Sequence, residues 1–581
     1  MIQLKTDFLP VCMRDVKANG WEELDIILIT GDAYIDHPAF GAALLGRYLI
    51  KKGFRVGVIA QPQKDEDYRA LGRPKLFFGI SSGNVDSMVN HYTAQRKIRS
   101  EDDFSPNSKA GLRPDRAVQI YTQKVKQFFK DIVVVIGGVE ASMRRIPHYD
   151  FWSDKVKNSV LIDSKASILV YGNGERQILE IGERLRGSKL LEGIRGTCIL
   201  SKELPPPAEA VELCDYGTVS DPESFYKMTK LFIDNYQTHT LFYKHTDRYY
   251  VHYTPAEPLS TAELDDVYGL PFAREPHPMY KGKIIKAFEQ IKHSILSHRG
   301  CYGGCSFCMI GFHQGKAIQS RSKESILKEI DKLSKKSYFK KTITDIAGAS
   351  ANMYGTSCKH HNSPTICKRH SCLYPEICKN LVFSEKPYLS VLRAARSSHK
   401  VENVFISSGV RFDLALKQSE FMQDLCYFHT SGLLKLAPEH VCENVLKKMY
   451  KPSVEKYLKF SETFSEMCKK LEKKQRILPY LIVGFPGSRL EDALELAIFL
   501  KKNDLHVEQI QEFTPTPMTI ATMMYFTGKD YECGEMIYVP KGREIRLQKA
   551  LAQWYMKANK KLVAEALQKL NRMDLMGLLA R

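Results

Sequence analysis

Cys301-Tyr302-Gly303-Gly304-Cys305-Ser306-Phe307-Cys308 places three thiols within eight consecutive residues, in the spacing C-x3-C-x2-C. Thiolate is the usual protein ligand of an iron–sulfur cluster, and a cubane held by three cysteines leaves one iron free for a group that is not protein. Gly303 and Gly304 allow the tight backbone turn that lets the sulfurs converge, and Phe307 sets an aromatic ring beside the last ligand. A surface loop or a zinc knuckle is the plainer alternative, but structural zinc takes a fourth ligand close by. The stretch follows a short apolar run at 294–297 and precedes a Lys- and Glu-rich helical pattern that starts at Ser322 and runs to about Lys336. That strand-loop-helix order recurs, with strand-like runs at 342–347, 403–408, 433–437, 479–484 and 506–511. Six such units predict a partial (β/α)6 barrel, whose chemistry sits on the loops at the carboxyl ends of its strands.

Upstream, apolar runs of buried-strand size at 25–30, 54–60, 76–79, 132–138 and 168–171 alternate with helical patterns, the first at 40–52. This alternation predicts an α/β domain built on a doubly wound parallel sheet. Ligands of such sheets bind beyond the carboxyl ends of the strands, where Gly31-Asp32, Gly137-Gly138 and Gly172-Asn173-Gly174-Glu175 fall. Asp36 and His37 read as a turn that starts the following helix. The pattern loosens from about Ser201 to Gln290, with Pro205-Pro206-Pro207 and two aromatic, hairpin-like stretches carrying Tyr249, Tyr250 and Tyr253, which read as packing residues. The expected division is an α/β domain at 1–200, a connector at 201–290, the barrel at 291–520 with a cysteine-rich insertion at 352–380, and a helical, basic tail at 521–581.

A chain of 581 residues exceeds one small core. Its start lacks the apolar core of a signal peptide and no stretch approaches the length of a membrane helix, so the expectation is a cytoplasmic protein with no membrane partner. Fourteen cysteines in such a chain suggest metal or redox chemistry, and seven of them fall between Cys301 and Cys378. The formal net charge of +19 suits nucleic acid, anionic cofactors or an acidic partner, although the basic residues are scattered rather than gathered in one arm.

The C-x3-C-x2-C motif with an aromatic before its third cysteine resembles the signature of the radical S-adenosylmethionine (SAM) superfamily. The resemblance implies that Cys301, Cys305 and Cys308 hold a [4Fe-4S] cluster whose open iron binds SAM, that SAM is cleaved reductively to a 5′-deoxyadenosyl radical, and that a donor such as flavodoxin or ferredoxin supplies the electron. It also implies the partial barrel. Ile482-Val483-Gly484-Phe485-Pro486-Gly487 resembles the superfamily's fifth-strand motif near the adenine, and 511–515 its sixth-strand end, so Gly484 and Gly487 join Phe307 as expected cofactor contacts. The second strand normally ends in a glycine-glycine-glutamate motif. Here it reads Asp345-Ile346-Ala347-Gly348-Ala349-Ser350, which leaves Gly348 and backbone carbonyls for the SAM amino group. Arg411 and Glu439, after the third and fourth strands, are placed to bind the SAM carboxylate and a ribose hydroxyl, with a surface salt bridge as the plain alternative. The N-terminal order resembles the cobalamin-binding-type domain that precedes many such barrels, without its D-x-H-x-x-G motif.

The insertion carries Cys358, Cys367, Cys372 and Cys378, with His360, His361 and His370 nearby. Four thiols in that length are a metal-site count. The C-x8-C-x4-C-x5-C spacing differs from the short pairs of zinc ribbons, which leaves an auxiliary iron–sulfur cluster and zinc both open. With this insertion and the motif CYGGCSFCMIGFHQGK, nearly the whole chain is similar to the YgiQ family of radical SAM proteins. The expected function is radical SAM catalysis on an unidentified substrate, RNA first and a small molecule or protein next. The alternative is an iron–sulfur or zinc binding adaptor without catalysis that binds nucleic acid or protein.

Overall fold

The computed structural model describes residues 4–204, 210–360, 367 and 369–579, so Pro205-Pro206-Pro207 and His361 lie outside the described residues. The chain divides into two compact units, residues 1–293 with 312–315, and residues 294–311 with 316–581.

The first unit is built on a nine-stranded sheet. Ile26–Thr30, Val56–Ala60, Phe77–Ser81, Val133–Gly137 and Ile168–Val170 are β-branched and apolar and are largely buried. Such runs suit a parallel sheet covered on both faces. All five are parallel, and the spatial order places Val56–Ala60 outermost, then Ile26–Thr30, Phe77–Ser81, Val133–Gly137 and Ile168–Val170. This is the 2-1-3-4-5 order of a doubly wound fold, with a switch point between the first and third strands. The sequence expectation fails beyond it. Thr197–Ser201, at the end of the expected α/β domain, runs antiparallel to its neighbour, and residues read as connector extend the sheet from it: the hairpin Thr240–His245/Arg248–His252 and then Ala210–Glu212 at the edge. Tyr250 is core, its ring stacked on Tyr243 at 4.7 Å.

The crevice at the switch point is filled by protein. Arg113 and Asp32 form an ion pair at 3.0 Å with both side chains buried, and Arg113 reaches Asp102 at 3.3 Å and donates to the Ser82 carbonyl at 2.6 Å. A Cβ on Gly31 would lie 2.2 Å from the Ser82 carbonyl oxygen, and Gly83, at φ +97, presses on the Asp32 carboxylate. Asp36 does not sit in the expected turn: it ends the short strand Ile35–Asp36, pairs with Glu275 on the neighbouring strand and is spent on a buried pair with Arg47, while His37 Nδ1 accepts from the Ala39 amide at 3.1 Å as a turn residue.

In the second unit the six barrel strands appear in chain order. Ser294–Leu296 pairs in parallel with Asp345–Ala347, Thr342–Ile343 with Asn403–Val404, and Leu433–Glu439 with Arg476–Val483, which pairs in turn with Ile510–Glu512. Helices Lys323–Ser334, Lys386–Arg396, Val454–Lys470 and Leu490–Lys502 fall between them. Ser322 caps the first of these helices by accepting from the Ser325 amide at 3.0 Å. The tail helices Arg543–Ala552 and Lys560–Lys569 bury Leu547, Leu551, Val563 and Leu567 against Leu490, Leu494 and Ala497, so their apolar faces are packing surface. Among the described residues no helix is long and apolar enough to cross a membrane.

Candidate functional site

The loop after Ser294–Leu296 brings the three predicted thiols into one electrostatic neighbourhood. Burial raises the Cys301 thiol and pushes Cys308 up to about 12, and the neighbouring cysteine sulfurs add to both shifts. A buried thiol in that range does not ionise alone near neutrality and needs positive charge to become a thiolate ligand. The surroundings supply it. Arg411 Nη1 lies 3.7 Å from Cys305 Sγ, and the Gly303 amide donates to Cys301 Sγ at 3.4 Å. A Cβ on Gly303 would stand 3.3 Å from both Cys301 Sγ and Arg411 Nη1, so the glycine keeps this cradle open. As the side chains are placed, no three Cys, His, Asp or Glu residues among the described ones stand together at metal-holding distance. The donor chemistry, three thiols on one loop with a guanidinium at Cys305 and an amide at Cys301, suits an anionic thiolate-held cluster.

Arg411 is engaged by protein. Its Nε and Nη2 bind Asp413 Oδ1 and Oδ2 at 3.0 and 2.7 Å, so the fork that a SAM carboxylate would use is already engaged. Burial opposes the charge of both partners, but Asp413 keeps Arg411 charged and Arg411 holds the Asp413 carboxyl below its ordinary range. Asn352 fixes the backbone there, donating to the Arg411 carbonyl at 3.0 Å and accepting its amide at 2.9 Å. Glu439 ends the fourth barrel strand at φ +71, a left-handed conformation costly for a residue with a side chain, beside a break in strand register. Burial raises its pKa, and Lys451, 3.6 Å away, partly offsets the rise. It is therefore a buried pair, not a surface salt bridge.

The three glycines and Phe307 are each met by protein. A Cβ on Gly348 would strike the His298 carbonyl oxygen at 2.4 Å; on Gly484, at φ +73, it would meet Ile545 at 3.0 Å; on Gly487, at φ +91, Lys448 at 2.3 Å. Phe307 stands edge-on to Phe485 at 6.2 Å, and Phe485 to Phe513 at 5.2 Å, so one aromatic ladder ties the cysteine loop to the fifth- and sixth-strand motifs. Sequence reasoning missed Asn352, Asp413 and Lys451. The R-F-D run at 411–413 was the available signal, because an acid two residues from an arginine can fold back on it.

A cavity of about 550 Å³ opens beside the loop's supporting segments, lined by Arg369, His370, Tyr374, Lys447, Lys448 and Tyr450 among others. Tyr374 stacks on Tyr450 at 5.3 Å, and Lys448 pairs with Asp530 at 3.1 Å. Ser306, inside the cysteine loop, donates to the Lys448 carbonyl at 2.6 Å and accepts through its own carbonyl from the Ala521 amide at 2.9 Å.

Comparison with known proteins identifies the family. Residues 8–294 match the family described as Radical SAM N-terminal, residues 295–500 the Radical SAM superfamily, and residues 508–580 a domain of unknown function, DUF3362. A UPF0313 protein of Geobacter sulfurreducens is 46% identical over 576 residues, covering 97% of this chain and 95% of the relative. One from Methanocella arvoryzae is 45% identical, covering 97% and 96%, and one from Methanosarcina acetivorans 43%, covering 98% and 81%. Among solved structures, the radical SAM methyltransferase TsrM of Kitasatospora setae aligns at a TM-score of 0.48 and 14% identity, over 85% of this chain and 74% of its own.

Proposed function

Because the chain belongs to the UPF0313, or YgiQ, family of radical SAM enzymes, we propose that Cys301, Cys305 and Cys308 ligate a [4Fe-4S] cluster at which SAM is bound and reductively cleaved. The observation that carries this reading is the three-thiol loop cradled by Arg411 and the Gly303 amide. Held there and reduced by an external donor, such a cluster would supply the one electron that splits SAM into methionine and a 5′-deoxyadenosyl radical. The chain's own residues hold and shield that chemistry. Arg411, locked by Asp413 and Asn352, keeps a cation at Cys305. Phe307, Phe485 and Phe513 wall the loop with apolar surface, while Glu439 and Lys451 set an acid and a cation at the end of the fourth strand. Glu439 suits a ribose hydroxyl, and the positive-φ backbone at Gly484 and Gly487 suits the adenine side.

RNA is the favoured substrate class, with small molecules and proteins next. The support is the net charge of +19 and a cavity in which Tyr374, stacked on Tyr450, stands with Lys447 beside the acids Asp530 and Glu532, an aromatic surface on which an unstacked base can lie. We place the enzyme in the cytoplasm, with a flavodoxin- or ferredoxin-type reductant as electron donor. The test is 5′-deoxyadenosine formation by anaerobically reconstituted protein with a strong reductant, alone and with total cellular RNA. Wild type should form it, RNA should accelerate it, and Cys305→Ala should reduce it to background. A cluster-loaded wild type that stays silent even with whole-cell extract would sink the proposal.

A further inference from the structure

We propose that Cys358, Cys367, Cys372 and Cys378 hold a second iron–sulfur cluster, seated against the backbone of the catalytic cysteine loop. The argument begins with how the fold gathers these residues. Ser357–Cys358 pairs antiparallel with Leu381–Val382, which sets Cys358 directly opposite Leu381. The Leu381 amide donates to the Cys378 carbonyl at 2.9 Å, and the Cys378 amide to the Cys372 carbonyl at 2.8 Å. Three cysteines spread over 21 residues of sequence are thereby tied into one backbone knot. Arg369, two residues after Cys367, donates its guanidinium to the carbonyls of Ser371, Tyr374 and Glu376 at 3.0, 2.9 and 2.7 Å. Cys372 and Cys378 also share one apolar cluster with Cys301.

The environment has the charge that such a centre needs. Four thiolates around a cluster leave it anionic, and a partly buried anion requires cations and amide donors nearby. Lys316 Nζ donates to the Arg369 carbonyl at 2.5 Å, which sets an ammonium on the backbone two residues after Cys367 and three before Cys372. The His360 amide donates to Cys358 Sγ at 3.5 Å. The floor is apolar, formed by Tyr302, Met353, Leu373 and Leu381, and Cys301 and Cys372 lie in the same apolar cluster.

The position favours a cluster over zinc. The Cys372 amide donates to the Tyr302 carbonyl at 3.0 Å, and Ser371 Oγ donates to the Gly303 carbonyl at 2.6 Å. The insertion is thus bonded to the residues next to Cys301, where a redox centre can pass electrons to the catalytic one. A zinc ion there would only brace the loop, and the cysteine spacing lacks the short pairs of zinc ribbons.

The proposal concerns metal content, so its test does not require SAM cleavage. The variant Cys301→Ala/Cys305→Ala/Cys308→Ala, in the full chain, is reconstituted anaerobically with iron and sulfide, and iron, acid-labile sulfide and zinc are counted alongside the EPR spectrum of the reduced protein. The expected result is about four irons and four sulfides per chain, roughly half the wild-type content, with Cys372→Ala added to the triple variant removing them. A folded triple variant with no iron, or with zinc and no sulfide, would overturn the assignment. Should the triple variant not fold, Cys358→Ser/Cys372→Ser serves in its place. That variant should lose half of the wild-type iron and keep a cluster whose EPR signal changes on adding SAM, and iron equal to wild type would be fatal to the idea. A wild type that fails to cleave SAM yet holds both clusters would count against the catalytic reading alone.

Discussion

Arg411 connects the buried acid Asp413 to the sulfur of Cys305, and its two tasks can be separated by mutation. Arg411→Met leaves the Asp413 carboxylate buried and unpaired, which should cost about 3–5 kcal/mol of stability, read from thermal or denaturant unfolding. Arg411→Met/Asp413→Leu removes both charges and should recover most of that loss, because a well-packed apolar pair replaces a buried ion pair at little cost. The double variant should still hold its cluster at a more negative potential and cleave SAM at least tenfold more slowly, since a donor to a charged group worth about 1.5–3 kcal/mol is gone. If the double variant cleaved SAM at the wild-type rate, the side chain would be a stability element only. The sequence made the thiols legible because their spacing is local. It did not reveal that Asn352 holds Arg411, since hydrogen-bond partners that meet across about 60 residues leave no spacing signal, whereas Asp413 stands two residues away in the R-F-D run.

The cysteine loop and the insertion behave as one element, and their contact sets an order among glycine variants. Gly304 has φ +62, and a Cβ there would lie 2.7 Å from the His370 carbonyl oxygen and 2.8 Å from the Ser371 Cα, both backbone atoms that cannot swing aside. At Gly303 the nearest atoms are the sulfur of Cys301 and the movable guanidinium of Arg411, each 3.3 Å away. Gly304→Ala should therefore cost about 1–3 kcal/mol of local strain and lower the iron bound after reconstitution, while Gly303→Ala should retain most of it. Equal iron in the two variants would show that the insertion does not brace the loop. Barrel strands were readable as elements because apolar runs announce them, and the structure starts or ends most of them within a few residues of the expected bounds. The edge of the N-terminal sheet was not. The hairpin at 240–252 was visible as aromatic alternation, but which sheet it joins depends on main-chain pairing to Thr197–Ser201, which carries no residue signature.

Across the whole molecule, burial of neutral histidines outweighs any single site in setting the response to acid. Burial pushes His298, His429 and His440 down to about 4 and His148 down to about 3, against an ordinary value near 6.5. A histidine whose folded pKa is depressed takes up a proton on unfolding, so its contribution is complete above about pH 6.5 and is lost as pH falls through the folded value. Asp32 and Asp345 act in the opposite sense. Burial raises each to about 6, so their contribution is present below the ordinary value of 3.8 and lost as pH rises through 6. The histidines are more numerous and their window opens at higher pH, so stability should fall between pH 7 and pH 5. Acid also strips iron–sulfur clusters, so His429→Gln provides the internal control. His429 Nδ1 bonds to the Val404 carbonyl at 2.7 Å in the barrel core, remote in sequence from the cysteine motif. Wild type should exceed this variant in stability at pH 7, and the gap should narrow by about 2 kcal/mol at pH 5 as wild type alone meets the cost of a proton it cannot bind while folded. Unfolding midpoints of both proteins across that range, each scored for iron, decide the matter: a gap that stays constant would mean that His429 is not held neutral by the fold.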